Sequence, residues 1–140
     1  MKKPVTLDVT NVATPGYKPA LTVTNDKHLK PDGPTYYYKF TGGTDANGDV
    51  EVFLKDGGVD VEIELWRNCD KRYSFAHLFT KTVMTDGSQA QLTFENWSER
   101  LITIHDTNVK RAKLKYSIGV VDSTLNGHVI LCDPIISNED

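Results

Sequence analysis

The sequence predicts an all-β fold, an antiparallel two-sheet β-sandwich of about nine or ten short strands. Three observations carry that expectation. From Val5 onward, apolar and polar residues alternate over short runs, the period of a strand that buries one face. Turn words close the runs: Asn47-Gly48, Asp56-Gly57-Gly58, Asp86-Gly87 and Asn126-Gly127 supply the backbone freedom that tight hairpins need. No stretch sustains a 3.6-residue apolar period. The 140 residues, 39% apolar and 25% charged, suit one domain spanning 1–140, long enough to enclose a core without metals or disulfides.

Taken in order, Val5, Leu7 and Val9 share the core face of a first strand, and Leu21 with Val23 marks a short second one. The polar loop 25–34 follows, a candidate surface because binding residues gather on long loops. Tyr36, Tyr38 and Phe40 face inward from the strand over 35–41, with Tyr37 and Lys39 outward, and Val50, Val52 and Leu54 define the next. The cleanest alternation places Val59, Val61, Ile63 and Leu65 inside and Asp60, Glu62, Glu64 and Trp66 outside. The run 73–84 is apolar on both faces and predicts one central strand. Ala90, Leu92 and Phe94, then 101–105, 114–120 and 129–132, complete the set. A single helical turn is expected at 96–100, where Asn96 and Glu99 sit at capping-box spacing.

A net charge of -3 argues against a nucleic-acid partner, whose phosphates call for a basic domain. No window has the roughly 20 apolar residues that span a bilayer. Met1-Lys2-Lys3 reaches Asp8 before any apolar run develops, so no signal peptide is read and a cytoplasmic location is expected. Cys69 and Cys132 lack metal-ligand spacing and read as reduced thiols, a bridge between them staying open.

Asp45, Asn47, Asp49 and Asp56 stand at loop positions 1, 3, 5 and 12 of a calcium loop, which makes calcium the one cofactor to consider. Val50 replaces the turn glycine, and an Asn-Gly hairpin accounts for the same residues more simply. Asp60, Glu62 and Glu64 form a row that reads as a solvated face before it reads as a glycosidase pair. His28, His77, His105 and His128 show no metal spacing, and His105-Asp106 suggests a triad that no nucleophile motif completes. Tyr37, Trp66 and Trp97 are the candidate ligand-binding aromatics. Lys110-Arg111-Ala112-Lys113-Leu114-Lys115 reads as a basic solvent face or a lysine-guarded edge strand.

The last third joins an Asp-x-Asn turn at Asp106-Thr107-Asn108, a Lys-Tyr strand at Lys115-Tyr116 and a closing Asp133-Pro134-Ile135-Ile136. Over about 101–138 it resembles small bacterial β-sandwich proteins of the AidA and PixA inclusion-body type. The resemblance implies a compact antiparallel sandwich and a bacterial source, and it transfers no catalytic residues. With no catalytic, phosphate-loop or cofactor signature, the expected role is a non-catalytic binding or self-assembly module. Its partner would be another protein or a second copy, as in a homodimer, with no nucleic acid and no membrane. A carbohydrate- or calcium-dependent binding module is the alternative, and a hydrolase ranks behind both.

Overall fold

The computed structural model describes residues 1–11, 15–23, 35–45, 48–124 and 128–140. It is an all-β sandwich of two packed sheets. The first sheet contains β1 (Lys2–Thr10), β2 (Lys18–Pro19), β4 (Tyr37–Thr41), β6 (Val59–Leu65), β9 (Leu92–Asn96) and β10 (Leu101–Asp106), in the order β2-β4-β1-β6-β10-β9. The second is built on β11 (Ala112–Asp122), with β3 (Leu21–Val23), β5 (Val50–Phe53), β7 (Tyr73–Phe75), β8 (Lys81–Thr82), β12 (His128–Cys132) and β13 (Ile135–Glu139).

Two pairings depart from the antiparallel expectation: β1 runs parallel to β6, and β5 parallel to β13. Alternation fixes which face a residue takes but not the direction of its neighbour, because both pairings bring together strands distant in sequence. Strand number also exceeds the nine or ten expected, since single runs break into pieces. Opposite β11, residues 128–139 keep one register throughout: Ile118 faces Cys132 and Lys115 faces Ile135. Only Asp133-Pro134 interrupts this long hairpin. Pro134 has no N–H to offer, yet its carbonyl still accepts from the Tyr116 N–H at 3.3 Å, so the register survives the break.

The run 73–84 corrects the sequence expectation more strongly. It is no central strand but β7, a 3-10 turn at His77–Phe79 and β8, all laid along β11. Leu78, expected in the core, is 80% exposed. The cause is Gly119. A Cβ there would lie 2.7 Å from the Phe79 Cβ and 2.9 Å from the Ala76 carbonyl oxygen, so the missing side chain lets the 3-10 turn settle against the sheet.

Between the sheets, Val5, Leu7, Phe40, Val61, Ile63, Ile102 and Ile104 meet Leu114, Tyr116, Ile118, Val120, Ile130 and Ile136, all buried. Each such side chain contributes about 1.5–3 kcal/mol of burial. Phe94 of the first sheet meets Tyr116 of the second edge-on, with ring centroids 6.1 Å apart. The inward residues of β4 and β6 are those the alternation predicts. Cys69 and Cys132 are free, buried thiols, and burial pushes both up from the usual thiol range.

Asp122, at the end of β11, is fully buried and anchors one end of the sandwich. It accepts from the Tyr36 hydroxyl at 2.7 Å, the Arg72 guanidinium at 2.8 Å and the Thr124 N–H and hydroxyl at 3.0 and 2.7 Å. Burial alone would raise its carboxyl, but the bonds from Thr124 and Tyr36 and the Arg72 charge together hold it below the ordinary carboxylate value.

Gly119→Ala should lower stability by about 1–3 kcal/mol in chemical denaturation, because backbone and Cβ atoms must move apart. Asp122→Asn should cost about 3 kcal/mol at neutral pH. A depressed native carboxyl stabilises fully above its unfolded pKa, near about 3.9, and loses that contribution as pH falls through the native value. The gap between wild type and variant should therefore narrow below about pH 4 in pH-dependent melts.

Candidate functional site

The outer face of the first sheet collects the outward residues that alternation assigned to separate strands. On β6 these are Asp60, Glu62 and Glu64. In the β6/β10 register His105 stands opposite Asp60, Thr103 opposite Glu62 and Leu101 opposite Glu64. On the far side of β10, Glu95 of β9 stands opposite Thr103, so a carboxylate flanks Thr103 from each neighbouring strand. The parallel β1 sets Lys2 beside Asp60, and its ammonium reaches Glu62 at 3.3 Å.

Trp97 follows β9 and roofs this row. Its indole N–H donates to the Thr103 hydroxyl at 2.7 Å, leaving the side chain fixed at one edge and the residue 63% exposed. The expected helical turn at 96–100 does not form. Asn96 instead ends β9, the Ser98 N–H bonds the Leu101 carbonyl at 3.2 Å, and the Ser98 hydroxyl accepts from the Arg100 N–H. Arg100 is held outside any helix by its guanidinium, which donates to the carbonyls of Tyr73 and Trp66 at 3.0 and 2.8 Å. The result is a hollow of about 530 Å³, lined by Asp60, Glu62, Glu95, Trp97 and His105 among others.

His105 and Asp106 are not partners in a triad. As neighbours in one strand they point to opposite faces. Asp106 is buried, whereas His105 brings its Nδ1 within 2.6 Å of the Asp60 carboxylate at the surface.

A second hollow of about 290 Å³ lies further along the same face, where Thr6, Asp8, Lys39 and Thr41 meet Tyr17 and Trp66. The Tyr17 hydroxyl donates to the Asp8 carboxylate. Burial, then that bond and the Asp8 charge, push the Tyr17 hydroxyl up to about 12. Trp66 directly follows β6, four residues on from Glu62, so these two lining residues are about 13 Å apart along the strand. Tyr37, opposite Thr10 on β4, faces outward as well. All three aromatics singled out from the sequence thus share one face.

The calcium residues are placed differently. Asp45 and Asp49 are neighbours: the Asp49 N–H donates to the Asp45 carboxylate at 3.2 Å, and burial, followed by the contact with Asp45, raises the Asp49 carboxyl. The Asp49 carboxylate itself accepts from the Ile135 N–H at 3.1 Å, tying the turn to β13. Asp56 sits beyond β5 in the 3-10 turn Leu54–Asp56, separated from Asp49 by a strand of about 13 Å. Asn47 and the loop 25–34 lie outside the described residues. Among the described residues, no group of three or more His, Cys, Asp or Glu side chains is arranged to hold a metal ion.

In the basic run 110–115, Ala112–Lys115 pair with β13 on one flank, β8 joins the other flank only at Tyr116 and Ser117, and Lys113 and Lys115 are exposed on the outer side of β11.

Sequence reasoning missed the contributions of Lys2, Tyr17 and Glu95 and the pairing of His105 with Asp60. The outward position of each strand residue was legible, but their meeting depends on pairing order and register. No helix among the described residues is long and apolar enough to cross a membrane. No protein-family model matches the chain, and no curated protein matches it.

Proposed function

We propose that the protein is a non-catalytic binding module whose ligand lies across the outer face of the six-stranded sheet. The observation that carries this reading is that Tyr37, Trp66 and Trp97 share that face with two hollows. A saccharide chain fits the chemistry of this surface best. Pyranose C–H faces pack on aromatic rings, while carboxylates and hydroxyls such as Asp60, Glu62 and Thr6 take up sugar hydroxyls. The spacing of the hollows suits an extended ligand rather than a single compact one.

Self-association is a second reading, favoured by β9. Among the described residues it pairs only with β10, and an unpaired strand edge is a template for strand addition by a second copy. A cytoplasmic binding or assembly protein of the AidA and PixA type accords with either reading.

Tryptophan emission titrated with neutral and amino-sugar oligosaccharides tests the first reading. A saturable change is expected, and Trp97→Ala and Trp66→Ala should each weaken binding by about fivefold or more while far-ultraviolet dichroism stays unchanged. Emission indifferent to every saccharide, together with a concentration-dependent rise in mass by light scattering, would replace the saccharide reading with self-association.

A further inference from the structure

Asp106 and Asp122 are both fully buried, but they keep different company. The Asp122 carboxylate is answered by the Arg72 guanidinium at 2.8 Å. Asp106, at the end of β10, forms no ion pair among the described residues. Its Oδ1 accepts from the Asn108 N–H at 2.9 Å and the Asn138 amide at 3.3 Å, whereas its buried Oδ2 has no partner among the described residues.

The elements packed against Asp106 present neutral groups to it. β6 and β9 set Val59 and Leu92 in register with it, β13 sends Asn138, and the turn after β10 sends Asn108. Charged residues close by are engaged elsewhere. Lys110 gives the cluster only its carbonyl, which accepts from Asn138 at 3.4 Å, while its charge acts on Asp86. Glu139 pairs with Arg111 at 3.5 Å, and Asp56 is exposed. His105, on the same strand, is the one charge that acts on Asp106, and burial outweighs it, raising the Asp106 carboxyl.

The cluster is also short of donors. Asn138 Nδ2 is aimed at three acceptors, Gln91 Oε1, Asp106 Oδ1 and the Lys110 carbonyl, and Asn108 gives its amide hydrogens to the Phe53 and Gly57 carbonyls. These commitments fix both amides, because a flip would set oxygen against oxygen. Asn108 Oδ1 and Asn138 Oδ1 are therefore acceptors, buried and unpartnered among the described residues like Asp106 Oδ2, and Gln91 Nε2 is the one unpartnered donor beside them. A proton on Asp106 Oδ2 converts three acceptors against one donor into two against two. With Asn138 Nδ2 already on Asp106 Oδ1, the planar acid and amide heads need only share a plane for Oδ2 to meet Asn138 Oδ1, the second bond of a cyclic acid–amide pair.

We propose that Asp106 keeps its proton in the folded protein and donates it from Oδ2 to Asn138 Oδ1, closing a two-bond ring that locks β10 of the first sheet to β13 of the second. Ionisation breaks one bond of the ring and sets two oxygens against each other, so the lock is pH-sensitive. A raised native carboxyl stabilises fully below its unfolded pKa, near about 3.9, and loses that contribution as pH rises through the native value.

The test is a pH titration of the full chain, labelled with ¹³C at the aspartate carboxyl carbons and followed by NMR, beside melts of Asp106→Asn. The Asp106 carboxyl should titrate above the ordinary aspartate value, with the Asn138 side-chain amide signals following the same curve. In Asp106→Asn the new amide donates in place of the acid hydroxyl. That variant should match wild type near about pH 4 and melt about 4 °C or more above it near about pH 8, the opposite of the loss expected for Asp122→Asn. The proposal is overturned by an Asp106 carboxyl that titrates at or below about 3.9, by Asn138 signals that do not follow it, or by a melting gap that stays constant or turns against the variant as pH rises. Should Asp106→Asn not fold, the titration of the wild-type chain decides alone.

Discussion

The network of Asp106, Asn108, Gln91 and Asn138 is the constraint on which the rest of the sandwich depends. All four side chains are buried. The Asp106 carboxylate accepts from the Asn108 N–H at 2.9 Å and from the Asn138 amide at 3.3 Å, while Asn108 donates to the carbonyls of Phe53 and Gly57 at 2.7 and 2.8 Å. One cluster therefore links β10 of the first sheet, β13 of the second, the end of β5 and the turn that launches β6. Burial pushes the Asp106 carboxyl up despite those bonds, and a buried polar group of this kind is tolerable only when its partners are held in place. Asn108 meets that demand with a left-handed backbone, φ 51°, a conformation that asparagine adopts more readily than most residues.

That anchoring has consequences on both sheets. Holding the Gly57 carbonyl fixes where β6 begins, and with it which outward carboxylate stands opposite His105 and which opposite Thr103. A slip of one residue would turn Asp60 and Glu62 into the core and Val61 and Ile63 out to solvent. Holding the Val109 and Lys110 amides through Gln91 likewise sets the entry into β11, whose outward Lys113 and Lys115 are exposed. The acidic, aromatic surface and the basic one are thus organised by the same buried polar groups, although they occupy different parts of the molecule.

What was legible in the sequence was what depends on near neighbours in the chain. Period two assigned the faces of Val59–Leu65 and of Tyr36–Phe40 correctly, because core and solvent select side chains residue by residue. The Asp-x-Asn word at 106–108 likewise corresponds to a real turn. Illegible were the features set by distant partners. Nothing within 73–84 announces that Gly119, some forty positions on, leaves space for a 3-10 turn in place of a strand. The parallel pairing of β1 with β6 was hidden for the same reason, and so was the meeting of His105 with Asp60. The calcium offsets meet a different constraint. Counting positions from Asp45 to Asp56 presumes a loop throughout, whereas Val50–Phe53 forms a strand that carries Asp56 away from Asp49.

The exposure of Trp97 gains its meaning from the bond beneath it. A large aromatic side chain left in solvent forgoes burial energy, and a merely surplus tryptophan would be free to fold down over the nearest apolar surface. Trp97 is instead tethered by its indole N–H to Thr103, which is itself nearly buried beneath it and faces Glu62 and Glu95 on either side. A ring restrained in this way gives up less side-chain entropy when a ligand covers it, so more of each contact survives as affinity. Trp66 is anchored through its backbone alone, whose N–H bonds the Leu7 carbonyl at 2.7 Å and whose carbonyl accepts from Arg100. One ring held by its own hydrogen bond and a second carried on an anchored backbone share a strand-built surface. The restraint on the Trp97 ring, more than its exposure, is the physical argument for binding at this face.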